Sequence, residues 1–261
     1  MSVVHVDSVG ITGPGMASWP QALEVLADCG AYREGEVARS TPELLPANER
    51  RRVSATVKLA LKVAEEAMRN ASVSMERVCS VFATRDGDTE IIDKICAALL
   101  LPERPVSPTQ FHNSVHNAAA GYWAIAARSP MPSTTVSAYH ASFAAGLLEA
   151  VAQLEVEARP VLLVAYDYPA PAPLLASVGD YPPFAVAMLL SPEPTEQSIE
   201  VRIATVTREP VRPMDCDALE KLRSSNPAAG ALPLLGALAR RVATRVVLPH
   251  VNGVQVSAEL P

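Results

Sequence analysis

Continuous apolar runs alternate with segments of helical period along most of the chain. Two such runs lie at residues 161–165 (VLLVA) and 184–190 (FAVAMLL), and they are typical of strands buried on both faces. Shorter strands are predicted at residues 3–9, 78–83 and 134–138. Helices are predicted at residues 20–27, 49–70, 89–100, 117–127 and 142–156, the second capped by Asn48. The alternation predicts an α/β sheet that is covered by helices on both faces.

The end of the chain has a different pattern. Prolines cluster at residues 191–198, which we interpret as a linker between a body at residues 1–190 and a tail at residues 199–261. Asn252 and Gly253 are the residue types that a two-residue primed hairpin turn prefers. The tail is predicted to contain a strand at 199–206, a helix at 232–242 and a hairpin of strands 244–249 and 254–259.

Composition narrows the class of protein without indicating a chemistry. The chain has 261 residues, of which 49% are hydrophobic and 19% charged, the balance of a globular domain. Its net charge of −6 and the lack of a basic stripe argue against nucleic acid as a partner. The apolar runs are shorter than the about 20 residues that span a bilayer, so we expect a cytoplasmic protein without a transmembrane segment.

The cysteines are scattered along the chain. Their spacing fits no metal site, so we expect reduced structural thiols, no metal and no cofactor. The four are Cys29, Cys79, Cys96 and Cys216.

The clearest candidate site is a strand that turns into a helix of small residues. Residues 133–136 (STTV) favour a strand, and residues 137–150 read SAYHASFAAGLLEA. Such a turn holds one side chain at a helix N-terminus, where backbone N–H groups stabilise a thiolate or an oxyanion. His140 occupies the position where a nucleophile would be expected.

This segment resembles the active-site turn of the β-ketoacyl synthases, thiolase-fold enzymes whose turn reads Ala-Cys-Ala-Ser-Gly, then small residues, then Glu-Ala. Aligned back from Glu149 and Ala150, the acyl-accepting cysteine of that family falls on His140. Residues 106–121 (VSPTQFHNSVHNAAAG) are similar to the family's Ser-Pro and Asn-x-x-Ala-Gly segments. The ordered resemblance covers about residues 1–190 and implies a thiolase-like layered fold, with one complete N-terminal repeat and a shortened C-terminal remnant.

The second half of a condensing enzyme carries two catalytic histidines in glycine-rich turns, and neither motif occurs in this sequence. Because it lacks the cysteine and both histidine motifs, the chain resembles the chain length factors, which are the nucleophile-less partners of ketosynthases. Shortened proteins of this kind resemble subunits from bacterial aryl-polyene and pigment-lipid gene clusters. The resemblance implies a non-catalytic subunit that pairs with a full-length ketosynthase and works with an acyl carrier protein. It would shape the partner's acyl tunnel in fatty acid or polyene chain elongation.

The same resemblance places the contacts with these partners. In such dimers the loop after the Ser-Pro corner reaches the partner's acyl pocket, and the strand before the nucleophile lies at the two-fold contact. The residues expected there are Gln110, Phe111, Asn117 and Tyr139. The basic run Arg50, Arg51 and Arg52 is either a solvated helix start or a docking site for the carrier protein.

Other interpretations stay open at this point. His140 could be the general base of an acyl decarboxylase or hydrolase, although no orienting partner can be assigned to it. The chain could also be a homodimeric acyl-binding scaffold. Ser142 is a poor substitute nucleophile because it should point away from the turn, and His250 on the terminal hairpin lacks the family's glycines. His112 and His116 have the i, i+4 spacing of a metal pair without a third ligand, which favours a helix start.

Overall fold

The computed structural model of the protein describes residues 1–69 and 71–261, with the side chain of Cys29 outside the description. Eight strands form one mixed sheet in the order β3-β2-β4-β5-β1-β6-β8-β7. β2 pairs in parallel with β3 and β4, and the other neighbours are antiparallel. The strands are β1 Ser2–Thr12, β2 Cys79–Ala83, β3 Ser133–Val136, β4 Val161–Asp167, β5 Phe184–Ser191, β6 Ile199–Thr207, β7 Thr244–Pro249 and β8 Val254–Leu260.

Helices pack against both faces of this sheet. They are α1 Trp19–Ala27, α2 Ala47–Arg52, α3 Ala55–Arg69, α4 Thr89–Leu99, α5 Pro108–Asn113, α6 Ala118–Ala127, α7 Ser142–Glu157, α8 Leu175–Val178, α9 Asp217–Ser225 and α10 Leu232–Arg240. Alternate residues of the central strands enter two separate cores, so Leu163 packs on the side of α7 while Leu162 and Val164 pack on the side of α3. Burial on both faces explains the continuous apolar runs and confirms the predicted α/β class.

The helix predicted at residues 49–70 is two helices, and Asn70 lies outside the described residues. The chain leaves helical geometry at Val53, whose buried side chain joins the core beside α3. Ser54 then accepts a hydrogen bond from the Val57 N–H at 3.2 Å, which caps the first turn of α3. The predicted N-cap was wrong, because α2 begins at Ala47 and contains Asn48.

Other boundaries differ for local reasons. The strand predicted at 134–138 ends at Val136, and the helix predicted at 232–242 ends at Arg240 because Arg241 is left-handed, with φ 50°. Both hairpin strands are confirmed. Their connection is longer than the primed turn predicted, since β7 stops at Pro249 and a single 3-10 turn precedes β8. Helix α9 has no counterpart in the sequence-based prediction.

The tail extends the sheet of the body. β6 pairs antiparallel with β1, and β8 lies between β6 and β7. The buried Asn226 after α9 fastens the tail to the ends of β4 and β5, because its side-chain N–H groups donate to the carbonyls of Asp167 (3.3 Å) and Pro182 (2.9 Å). The division into a body, a linker at 191–198 and a remnant stays a prediction.

Among the described residues, no helix combines the length and the apolar character that crossing a bilayer requires. The thiols of Cys79, Cys96 and Cys216 are free. Within the same residues, no three potential ligands from His, Cys, Asp and Glu come together as a metal site would require.

Candidate functional site

The strand-to-helix turn at residues 137–142, which we call the elbow, links β3 to α7. A single 3-10 turn spans Tyr139–Ala141, and Tyr139 is left-handed with φ 55°. The Ser142 hydroxyl accepts from the Ala138 N–H (3.1 Å) and donates to the Tyr139 carbonyl (2.7 Å). Since this hydroxyl is buried and both bonds close the elbow, Ser142 holds the turn and does not face a substrate.

His140 is exposed at the tip of the elbow. Its imidazole packs edge-on against the Tyr139 ring, with 4.4 Å between ring centroids. Partial burial and the nearby Arg85 guanidinium both lower the pKa of His140. The imidazole is therefore neutral near pH 7, a form that accepts a proton but carries no charge with which to stabilise an oxyanion.

A pocket of about 320 Å³ separates the elbow from the terminal hairpin. His140 and His250 both line it, and Phe143, Leu248 and Val251 supply apolar walls. Sequence reasoning treated the two histidines separately, and the tertiary structure brings them to one cavity. The described lining contains no cysteine and no carboxylate that could orient either imidazole.

The one guanidinium in the described lining of this pocket is neutralised by its own helix. Arg223 donates from Nε and Nη2 to the Glu220 carboxylate, at 2.7 and 2.5 Å. This pairing lowers the pKa of Glu220. The pocket is thus largely apolar, and its described polar side chains besides Arg223 are His140, His250, Tyr139 and Ser224.

A charged cluster beneath the elbow was missed by sequence reasoning. The Arg85 side chain is 1% exposed, and it donates to Asp86 Oδ2 (2.5 Å), the Val178 carbonyl (2.7 Å) and the Tyr181 hydroxyl (3.2 Å). Its guanidinium lies 5.1 Å from the centroid of the Tyr181 ring and 5.6 Å from that of the Tyr139 ring. The Ser137 hydroxyl donates to the Arg85 carbonyl at 2.8 Å, which ties the elbow to this cluster.

Asp167 completes the floor of the cluster at the end of β4. Its Oδ1 accepts from the Thr84 hydroxyl and from the Arg85 N–H, both at 2.9 Å. Burial raises the pKa of Asp167 to about 7, against the lowering effect of these two bonds. The signal in the sequence was a charged residue two positions beyond two of the predicted strands, Arg85 after residues 78–83 and Asp167 after residues 161–165, where the carboxyl ends of parallel strands meet.

The elbow lies at one edge of the sheet. β3 is the terminal strand, and α6 packs beside it. The Ser80 N–H donates to the Pro132 carbonyl and the Thr84 N–H to the Val136 carbonyl, so the main-chain groups of Ser133 and Thr135 face outward. Of the exposed apolar side chains, Tyr139 follows β3 in the elbow and Ile125 lies on α6, while Phe111 and Val115 lie on and just after α5.

The helix with the basic run and the helix that carries Gln110 and Phe111 are neighbours in the structure. Asn113 is buried, donates to the Arg52 carbonyl (3.1 Å) and accepts from the Tyr122 hydroxyl (2.9 Å), so the basic helix α2 adjoins α5. Gln110 and Phe111 lie on α5, and Phe111 is 68% exposed.

The basic run is mostly solvated. Arg51 and Arg52 are exposed, and Arg52 pairs with Glu49 at 3.3 Å. Arg50 is half-buried. Asn117 is exposed and precedes α6 without a side-chain cap.

His112 and His116 do not share a helical face. α5 ends at Asn113, so His112 lies on the helix and His116 lies in the following turn. His116 packs near Gly87, and burial lowers the pKa of its imidazole. The i, i+4 spacing therefore has no ligand geometry in the folded chain.

Comparison with known proteins places this geometry in a family. A family model described as "Beta-ketoacyl synthase, N-terminal domain" matches residues 24–244. No curated protein sequence matches the chain. One solved structure that is similar to this chain is the ketosynthase ApeO in complex with its chain length factor ApeC from Xenorhabdus doucetiae. The match has a TM-score of 0.75 and 23% sequence identity. That alignment covers 99% of this chain and 100% of the other, so the two are nearly equal in length.

Two further complexes have the same fold. The ishigamide ketosynthase/chain length factor matches with a TM-score of 0.70 and 14% identity over 99% of both chains. AntDE:AntF, a type II polyketide synthase acyl carrier protein in complex with its ketosynthase, matches with a TM-score of 0.77 and 11% identity over 99% of this chain and 98% of the other. The eight-stranded layered sheet with its elbow is accordingly a thiolase-like fold, and the chain belongs to the β-ketoacyl synthase N-terminal domain family.

Proposed function

We propose that this chain is a non-catalytic subunit, similar to a chain length factor, that pairs with an active ketosynthase and shapes its acyl tunnel. One observation supports the proposal: hydrogen bonds close the elbow, and His140 lies in it at the position that the resemblance aligns with the family's nucleophilic cysteine. A chain that has this turn without the thiol lacks the nucleophile that would form the covalent acyl intermediate there.

The β3 edge supports a partner of the same fold. Outward main-chain groups of Ser133 and Thr135 can accept one more strand, and unpaired edges are normally covered or blunted in proteins. The solved complexes of similar fold join a ketosynthase to a chain length factor. The proposed partner is therefore a full-length ketosynthase, in a heterodimer whose interface buries well over about 2,000 Å².

Phe111 and Gln110 are the proposed contribution to product length. Phe111 projects from α5 with most of its ring in solvent, although a benzyl side chain gains about 1.5–3 kcal/mol when fully buried. A partner's tunnel is the environment that would bury it. Gln110 precedes it on the same short helix and would form the polar part of the plug.

The carrier protein is the second proposed partner. Arg51 and Arg52 are exposed on a helix that Asn113 holds against the Phe111 helix, so a basic surface adjoins the proposed tunnel plug. Acidic partners are attracted by such clusters in a salt-dependent way. We assign the whole assembly to the cytoplasm and to fatty acid or polyene-type elongation, as in aryl-polyene and pigment-lipid clusters.

A second candidate function has one observation in its favour. His140 and His250 line the same pocket, so two imidazoles are available for proton transfer in an acyl hydrolase or decarboxylase. The described lining holds no carboxylate to orient them, which is why we rank this function below the first. A homodimeric acyl-binding scaffold is the third arrangement that the experiments below distinguish.

The catalytic part of the proposal is tested with His140→Ala in the complex with a co-expressed full-length ketosynthase. Turnover of the assembled variant is expected to stay within about 3-fold of wild type, because the partner's cysteine makes the carbon–carbon bond. The isolated chain should take up no label from an acyl carrier thioester. His250→Ala, which removes the other imidazole of the pocket, is expected to give the same result. A covalent acyl adduct on this subunit, or a loss above about 100-fold (near 3 kcal/mol in the barrier) in an intact complex, supports the hydrolase instead.

The tunnel part is tested with Phe111→Ala, which should open space at the closed end of the tunnel. Products are expected to become longer, since each extra methylene buried contributes about 0.8 kcal/mol, while total turnover changes less. Gln110→Ala should act in the same direction and more weakly. Val115→Ala, at an exposed apolar position just beyond α5, is the matched control. Mass spectrometry of carrier-bound products at equal turnover gives the answer, and an unchanged length distribution in both variants favours the scaffold.

A further inference from the structure

Tyr139 combines a strained backbone with an exposed aromatic ring. Its backbone is left-handed, with φ 55°, a conformation that costs a bulky residue about 1–3 kcal/mol. Its aromatic ring is nevertheless 62% exposed, so burial of the ring within the chain does not account for the strain. Strained residues persist where surrounding contacts hold them, and they concentrate at functional sites.

The surrounding contacts fix both the main chain and the ring of Tyr139. The Ser142 hydroxyl accepts from the N–H of Ala138, the residue before Tyr139, and donates to the Tyr139 carbonyl at 2.7 Å. Beneath the ring lies the Arg85 guanidinium, 5.6 Å from the ring centroid, and the His140 imidazole packs against its side at 4.4 Å. The ring is therefore held in one orientation before any partner arrives.

Arg85 can hold the ring because it is itself immobile. Its side chain is 1% exposed and bonded to Asp86, to the Val178 carbonyl and to Tyr181. The buried Arg85 guanidinium lies between the Tyr139 and Tyr181 rings, so it restricts the movement of the exposed Tyr139 ring.

We propose that Arg85 is a positioning residue that presents the Tyr139 ring as the main contact residue of the interface with the ketosynthase subunit. The ring lies just beyond the end of β3, whose outward main-chain groups can pair with a further strand. Helix α6, which carries the exposed Ile125, packs beside β3. A fixed aromatic beside an open strand edge fits a partner that supplies both a strand and an apolar recess. Tyrosines are enriched among the residues that contribute most to binding, and a preorganised ring loses little conformational entropy when a partner buries it. This inference rests on the proposed pairing with a ketosynthase.

The test compares the dissociation constants of purified variants for the same full-length ketosynthase as above. Tyr139→Gly removes the ring and relieves the left-handed strain, so the variant is expected to bind at least about 30-fold more weakly while its own Tm stays level or rises. Tyr139→Phe keeps the ring over Arg85 and should bind within about 3-fold of wild type. Val242→Ala, at an exposed apolar position beyond α10, is the matched control.

Arg85→Met tests the positioning role, with an expected loss of about 10-fold. In the Tyr139→Gly background the same change should cause no further loss, because Arg85 acts through the ring. If wild type binds and Tyr139→Gly binds within 3-fold, this inference is overturned while the proposed pairing stands. If wild type forms only homodimers or ignores the ketosynthase, both are overturned. Should Arg85→Met fail to fold, Arg85→Lys takes its place in the double-mutant comparison, because it keeps the charge and loses the planar guanidinium that stacks on the ring. The Tyr139 variants decide whether the ring is the main contact.

Discussion

The two edges of the sheet face the same physical problem and meet it differently. Unpaired strand edges present free main-chain groups that invite association. At the β7 edge, Arg245 pairs with Glu209 at 2.6 Å and also with Glu259, and Pro249 ends the strand. At the opposite edge, β3 carries serine, threonine and valine without a charge.

The hydrogen-bond registers sharpen this contrast. The His250 N–H donates to the Val254 carbonyl, so Arg245, Val247 and Pro249 have their main-chain groups on the outer side of β7. One of these outward positions is a proline and another is a charged residue, two features with which proteins block edge association. The β3 edge has neither, and the exposed Ile125 lies on the adjacent helix. The β7 edge is thus blunted and the β3 edge is open, so pairing with a further strand is favoured at β3.

The largest expected effect is a loss of heterodimer affinity when the open β3 edge is blocked. Thr135→Pro removes an outward N–H and places a ring where the partner strand should pair, without loss of a β2 hydrogen bond. The heterodimer should weaken at least about 1,000-fold, near 4 kcal/mol, as measured by analytical ultracentrifugation. Val247→Pro is the same change at an outward position of β7 and should alter affinity less than about 3-fold. Equal losses in the two variants would mean that β3 is not the interface.

The next effect tests whether both edges belong to one cooperative unit. Asn226 is fully buried, donates to Asp167 and Pro182, and accepts from the N–H groups of Ala228 (2.9 Å) and Ala229 (3.3 Å). Asn226→Ala removes all four side-chain bonds, although the Ala229 N–H keeps another partner, the main-chain carbonyl of residue 226 at 3.1 Å. The free energy of unfolding should therefore fall by about 3 kcal/mol, or Tm by roughly 6–12 °C.

Differential scanning calorimetry of Asn226→Ala should show one transition. The exposed Asn48→Ala is the control, with a change below about 0.5 kcal/mol. Two separated transitions would show that the tail melts independently of the body, in favour of the predicted division into domains.

A smaller effect concerns the charge beneath the β3 end. The pKa of Asp167 is about 7 in the folded chain, against about 4 in an unfolded one. The folded state therefore keeps a proton that the unfolded state releases, and the stability from this neutral carboxyl is lost as pH rises from about 4 to 7. Asp167→Asn keeps an acceptor for Thr84 and the Arg85 N–H, so it should gain stability relative to wild type across that window, by on the order of 2 kcal/mol. Urea unfolding at pH 4, 5.5, 7 and 8 measures this, and parallel curves would contradict the raised pKa.

The smallest effect is expected at the blunted edge. Arg245→Ala removes exposed ion pairs, which contribute below about 1 kcal/mol, so the free energy of unfolding should change little and heterodimer affinity not at all. Self-association through β7 should rise, detectable by light scattering at high protein concentration. Arg202→Ala is the control, since the Arg202 and Arg245 side chains are both 42% exposed but Arg202 lies on an interior strand. A monodisperse Arg245 variant would mean that another feature protects this edge.

Much of the fold could be predicted because its signals are local. The buried runs of β4 and β5 are apolar at every position, and the strands of the terminal hairpin were confirmed at the predicted bounds within one residue. The helix break at Val53 was missed, since a residue leaves helical geometry there to bury its side chain in a core built from distant segments. Helix α9 is short and mostly polar, with Leu219 and Leu222 as its buried residues, so it offered too few apolar positions to be predicted as a helix.

The sequence by itself determined the α/β class, the elbow and the absence of a cysteine from it, because strand patterning and residue identity need no knowledge of contacts. The tertiary structure alone decided which side chains meet there. It brought His250 to His140 and stacked Arg85 between Tyr139 and Tyr181. It also left β3 open and β7 blunted. These outcomes depend on strand order and on the packing of residues far apart in the chain, and no local period along a sequence encodes either of them.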